Sequence, residues 1–131
     1  MLIAGKWGCG KSTLAAELLY RFLRPLRFKE GGRFISAAEI PAVAFERRER
    51  DEMDRWEHFN RVDCLVIDDL GRGYKGDARM AVGRLIAHRY DYMLPTIVTS
   101  NLDKESDIGD EALIDRLKEG LTVRLVGGSR R

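Results

Sequence analysis

The chain has 131 residues, of which 44% are apolar and 34% charged, with a formal net charge of +2. That is one domain with material for one core, which excludes a two-domain chain and whole-chain disorder. No apolar run reaches the ~18 residues of a membrane helix, the glycine-rich start lacks an export signal, and two cysteines (Cys9 and Cys64) are too few for a disulfide scaffold, so a cytoplasmic setting fits.

Short apolar runs alternate with amphipathic stretches, which predicts βαβ units and a mostly parallel sheet. The first strand is Leu2 to Ala4. A glycine loop follows, then a helix from about Lys11 to Leu23 with Leu14, Leu18, Leu19, Phe22 and Leu23 on one face, stopped by Pro25 and Gly31-Gly32. A second strand is predicted at Arg33 to Ala37 and a loosely amphipathic helix at about Pro41 to Asn60. Trp56 and Phe59 in that helix read as core or interface residues, with stacking on nucleic-acid bases as the alternative. The clearest strand is Cys64 to Ile67, apolar throughout, as a strand covered on both faces must be. A helix at about Asp77 to Tyr92 carries Ala81, Leu85 and Tyr92 at helical spacing. Then come a strand at Thr96 to Thr99, a helix at about Asp110 to Glu119 closed by Gly120, and a last strand at Leu121 to Leu125.

The loop reads Gly5, Lys6, Trp7, Gly8, Cys9, Gly10, Lys11, Ser12, Thr13, which fits G-x-x-x-x-G-K-[ST] between a strand and a helix. Glycines let successive N–H groups converge on phosphate oxygens, and the helix start adds its dipole. Lys11 would reach the β- and γ-phosphates of ATP, and the Ser12 hydroxyl suits Mg²⁺. Asp68 and Asp69 follow the apolar strand. Carboxyl ends of parallel strands carry ligand sites, so Asp68 is a candidate for Mg²⁺ and Asp69 for orienting an attacking water. The strand at Thr96 ends in Thr99, Ser100 and Asn101; Asn101 or Thr99 would point at the γ-phosphate. Arg116 reads locally as a solvated helix residue or an arginine finger, and nothing nearby decides. Basic residues group at Arg21, Arg24, Arg27, Lys29 and Arg33 and at Arg72, Lys75, Arg79, Arg84 and Arg89, which fits a DNA footprint or solvated helix faces.

Together these pieces resemble the DnaC/IstB branch of the AAA+ ATPases, the helicase loaders and transposition helper ATPases. Gly5 to Thr13 is similar to its Walker A, Val66 to Gly71 to its Walker B, Pro95 to Leu102 to its sensor 1 segment with Asn101 at the sensor position, Arg116-Leu117 to its arginine-finger box, and Gly127, Ser129 and Arg131 to its closing G-x-S-x-R. The resemblance implies an α/β P-loop sandwich with a five-stranded parallel sheet in the order 5-1-4-3-2 and no helical lid. It implies that residues 1–131 are a single AAA+ core lacking the family's N-terminal partner-binding region, as in a minimal, phage-borne protein or a fragment. It raises Asn101 and Arg116 to functional candidates. It also implies ATP hydrolysis at interfaces of a homo-oligomer, acting with single-stranded DNA and a replicative helicase. A transposition helper with duplex DNA and a transposase is the alternative. A nucleotide-binding module with little turnover and a small-molecule kinase are the rivals of other classes.

Overall fold

The computed structural model describes residues 1–24, 31–45, 55–71, 76–101 and 110–127. In chain order the elements are β1 (Leu2–Gly5), α1 (Lys11–Leu23), β2 (Gly32–Ser36), a 3-10 turn (Ala37–Glu39), α2 (Ile40–Ala44), α3 (Arg55–Arg61), β3 (Cys64–Leu70), α4 (Gly76–Asp91), β4 (Thr96–Ser100), α5 (Glu111–Glu119) and β5 (Thr122–Leu125). The strands form one five-stranded sheet ordered β2-β3-β4-β1-β5. Every pairing is parallel. This is the implied order, counted from the other edge.

Strand alternation divides the core in two. Ile3, Cys64, Val66 and Ile97 face α1, where Ala15 is buried and Leu14, Leu18, Leu19 and Leu23 pack around them. Leu2, Leu65, Ile67 and Val98 face the other way, against Ile40, Val43, Phe59, Ala81, Val82, Leu85, Ile86, Leu113 and Leu117 of the remaining helices. Each fully buried aliphatic side chain there contributes about 1.5–3 kcal/mol. The short β1 holds its place because it lies between two partners, with Leu2 opposite both Val98 and Thr122.

Several boundaries differ from the sequence reading. β2 ends at Ser36 because Ser36 caps the next turn. Its hydroxyl accepts from the Ala38 N–H at 3.3 Å, and the Glu39 carboxylate accepts from the Ser36 N–H at 3.3 Å, which closes a capping box. The predicted helix over 41–60 is not continuous. It stops at Ala44, where Phe45 leaves helical geometry (φ −109°, ψ 8°), and resumes as α3; residues 46–54 lie outside the described residues. β3 runs on to Leu70, so both aspartates belong to the strand. Phe59 is buried and Trp56 packs against the same core, so the core reading of these two rings holds and base stacking is excluded for Phe59. Tyr92 lies beyond the end of α4 and is exposed. The buried stripe of α4 continues from Ala81 and Leu85 to Arg89 instead.

Arg89 is therefore not part of a basic surface. It is 0% exposed. Its guanidinium donates to the carbonyls of Phe59 and Val62 at 2.9 Å each, to the Pro95 carbonyl at 2.8 Å and to the Thr96 hydroxyl at 2.9 Å. It thereby ties the end of α3 to the start of β4. Burial pushes its pKa down to about 10, against the opposing pull of Cys64 and Asp63.

Candidate functional site

β1 delivers the chain to the glycine loop at the carboxyl edge of the sheet. A Cβ at Gly5 would lie 2.7 Å from the Leu125 carbonyl oxygen and 2.8 Å from Cys9 Sγ, so only glycine lets the loop turn back this tightly. Gly10 caps α1 in the left-handed region at φ 89°, which aims the first N–H groups of the helix into the loop. Lys6, Trp7, Gly8 and Cys9 span the turn. Trp7 is 65% exposed at its tip. Lys11 is 5% exposed and its ammonium curls over the loop, donating to the Lys6 carbonyl at 2.7 Å and touching Cys9 Sγ at 3.7 Å. Ser12 and Thr13 occupy the first turn of α1.

β3 and β4 complete the site through a β-bulge. Ile67 pairs with Val98 and Leu70 with Ser100, so Asp68 and Asp69 together face the one residue Thr99. Strict alternation would send residue 69 to the face of Leu65 and Ile67, into the core. The extra residue hands that position to Leu70, which is 0% exposed, and leaves Asp69 outside. Asp69 takes φ 61° to do so, a conformation that aspartate tolerates better than most residues.

One hydrogen-bonded network results. The Ser12 hydroxyl donates to Asp68 at 2.8 and 3.0 Å. The Thr99 hydroxyl donates to Asp68 Oδ1 at 2.6 Å and accepts from the Asp69 N–H at 2.9 Å. Asn101 donates its amide to Asp69 Oδ1. The Ser100 hydroxyl donates to the Leu70 carbonyl at 2.7 Å. Thr99 and Ser100 at the end of β4, with Asn101 just after it, thus meet the three residues ending β3. The sequence shows the polar strand end but gives Thr99 only as a phosphate contact and assigns Ser100 no role of its own.

The donors at this point are all oxygen: one carboxylate, Asp68, against one hydroxyl, Ser12. That set fits a small hard dication that keeps several waters and takes other ligands from phosphate. Among the described residues no three His, Cys, Asp or Glu side chains gather into an all-protein cage. Arg116 is placed elsewhere. Its guanidinium lies 5.9 Å over the Tyr90 ring, in a groove of about 730 Å³ that Met1, Pro95 and Gly120 also line. The hydrogen bond to Glu119 raises the Tyr90 hydroxyl pKa there. Gly127 is described; Ser129 and Arg131 lie outside the described residues, as do Arg27, Lys29, Arg72 and Lys75. Of the other basic candidates, Arg24, Arg33 and Arg84 are exposed, Arg21 pairs with Glu17, and Arg79 lies 3.6 Å from Asp110.

A glycine loop between β1 and α1, acidic residues ending β3 and the order β2-β3-β4-β1-β5 define a P-loop fold of the AAA+ kind. No family model matches the chain, and no curated protein matches it in sequence. Solved structures do share its fold. The DnaC helicase loader superposes with a TM-score of 0.81 at 20% identity, over 96% of this chain and 77% of that one. DnaI gives 0.70 at 21%, over 99% and 72%. The replication initiator DnaA bound to AMPPCP and single-stranded DNA gives 0.71 at 18%, over 98% and 40%. Among the described residues no helix is long and apolar enough to cross a membrane.

Proposed function

We propose that this protein is an ATPase of the helicase-loader kind, hydrolysing ATP to ADP and phosphate as it assembles on single-stranded DNA. One observation carries the reading: Ser12, Asp68, Thr99, Asp69 and Asn101 share a single network beside the glycine loop. The N–H groups of Gly8 to Thr13 cradle the phosphates, and Lys11 swings from the Lys6 carbonyl to the β- and γ-oxygens. Ser12 and Asp68 would hold Mg²⁺, which would supply charge neutralisation at the phosphates. Asp69 and Asn101 hold the attacking water in line with the γ-phosphorus. Arg116 sits away from its own loop, which supports its use in trans by a second copy. A finger in trans contributes about 10³ to 10⁵ in rate. Exposed Arg84 is the contact on α4 for the DNA backbone. The likeness to the DnaC helicase loader favours a replicative helicase over a transposase as the protein partner.

The test is phosphate release from ATP against protein concentration, with single-stranded DNA, duplex DNA or none, and Lys11→Ala as the blank. Turnover per subunit is expected to rise with concentration and with single-stranded DNA. Stimulation by duplex DNA alone points instead to a transposition helper. Bound nucleotide without release at any concentration reduces the chain to a binding module.

A further inference from the structure

We propose that Thr99 is a positioning residue whose one hydroxyl sets both aspartates at once, holding the Asp68 carboxylate by a donated bond and the Asp69 backbone by an accepted one. The inference rests on the ATPase reading above and gives Thr99, which the sequence offered only as a γ-phosphate contact, a different role.

Asp68 is gripped from two sides, by Ser12 at 2.8 and 3.0 Å and by Thr99 at 2.6 Å. The Ser12 grip is lost when that hydroxyl turns to a metal ion. The Thr99 grip is independent of the loop, because it comes from β4. It engages Oδ1 alone and leaves Oδ2 to Ser12. The same Thr99 oxygen accepts from the Asp69 N–H at 2.9 Å. That N–H belongs to the residue held at φ 61° in the bulge and has no straight ladder partner there. A hydroxyl is the smallest group that both donates and accepts, as this position requires. Thr99 is 1% exposed, so water has little access to replace it. Without the hydroxyl, Asp68 turns about its own χ angles once Ser12 leaves, and the bulge that faces Asp69 outward loses its central tie.

A purely structural threonine would behave differently. Its loss would lower the melting temperature and leave turnover per folded molecule unchanged. The experiment therefore compares Thr99→Val, which keeps shape and β-branching, with Thr99→Ser, which keeps the hydroxyl. The readouts are kcat, the Mg²⁺ concentration for half-maximal turnover, and affinity for a fluorescent ATP analogue in EDTA. Thr99→Val is expected to lose about 10–100-fold in kcat, as outer-sphere partners of metal ligands do, and to need more Mg²⁺. Its metal-free nucleotide affinity should stay within about threefold, because the glycine loop is untouched. Thr99→Ser should recover most of the loss. If Val does not fold, Thr99→Ala against Thr99→Ser repeats the comparison with the hydroxyl as the one difference. The proposal is overturned if wild type turns over and the hydroxyl-free variant does so within about threefold, or if Ser is no better than Val or Ala. A wild type that releases no phosphate sinks the ATPase reading, and this inference with it; the two failures are told apart by the wild-type assay alone.

Discussion

Replacing Arg89 by methionine separates a structural arginine from a DNA-binding one. Methionine keeps the length of the stem and removes the guanidinium. The Phe59 and Val62 carbonyls then lose a donor in a fully buried setting, and the Pro95 carbonyl and Thr96 hydroxyl lose one in a partly buried setting. An unsatisfied buried acceptor costs about 1–3 kcal/mol. The two buried carbonyls alone give about 2–6 kcal/mol. Relief of the buried charge offsets part of this, since burial has already pushed the guanidinium down to about 10. A net loss of about 3 kcal/mol follows, a large fraction of the stability of a domain this size. The assay is urea unfolding followed by circular dichroism, with a fall in midpoint, an unchanged m-value and a melting temperature lower by roughly 10 °C. The folded pKa lies below the unfolded one, so Arg89 binds its proton in both states below about pH 9, and the gap between wild type and variant should be flat from about pH 6 to 9. Above about pH 10 the folded state releases the proton first, and the gap should widen in favour of wild type. Arg84→Met, on the exposed face of the same helix, should change stability by less than about 0.5 kcal/mol and weaken DNA binding instead. A loss below about 1 kcal/mol for Arg89→Met would refute the clamp.

Three further outcomes are expected. Met93 closes α4 at φ 54°, with its N–H on the Tyr90 carbonyl at 3.0 Å and the Leu94 N–H on the Arg89 carbonyl at 2.8 Å. This is a Schellman end with methionine where glycine belongs, so Met93→Gly should stabilise by about 1 kcal/mol in thermal melts. Asp69→Asn should bind ATP with affinity close to wild type and lose at least about 100-fold in single-turnover phosphate release; release at the wild-type rate would remove Asp69 from the water-orienting role. Arg116→Ala should bind nucleotide normally in dilute solution and lose the rise of turnover with protein concentration, which a plot of rate per subunit against concentration reads directly.

The features legible in the sequence are those carried by contiguous residues. Gly5 to Thr13 is one unbroken sequence motif, and its position between an apolar run and an amphipathic helix placed β1 and α1 with it. The Asp68-Asp69 pair was equally plain. The bulge was not, because strand pairing is a relation between β3 and β4, and only the register shows two residues opposite one. That register decides whether Asp69 or Leu70 enters the core. Arg89 failed for another reason. It continues the Ala81-Leu85 stripe by four more residues, but the sequence reading ran that stripe to Tyr92 and counted Arg89, by residue type, among the basic surface candidates. The carbonyls that bond it come from Phe59 in α3, from Val62 just after it and from Pro95 in the α4–β4 turn, which no local window joins. The long helix over 41–60 failed because the chain leaves helical geometry at Phe45, inside a stretch that charge and apolar spacing suggest is continuous.

The two edges of the sheet are built on opposite terms, and this bears on how the site works. At the amino edge, Arg89 satisfies four acceptors from three segments, with almost no exposed surface. That arrangement has one geometry. At the carboxyl edge, Ser12, Asp68, Asp69 and Asn101 are joined by hydroxyl, carboxylate and amide groups that lie partly in solvent. On the proposed function, each of those bonds would exchange for one to phosphate, metal ion or water. The energies differ accordingly: leaving a buried acceptor orphaned costs the full desolvation of that group, whereas exchanging one exposed hydrogen bond for another is close to neutral. On the proposed function, a buried amino edge would fix where β3 and β4 end, and an exchangeable carboxyl edge would let Lys11 and Ser12 change partners without moving the strands. Thr99 is the exception that joins the two. It is buried like the clamp but bonded to the groups that must exchange, so a single hydroxyl transmits the fixed position of the sheet to both carboxylates.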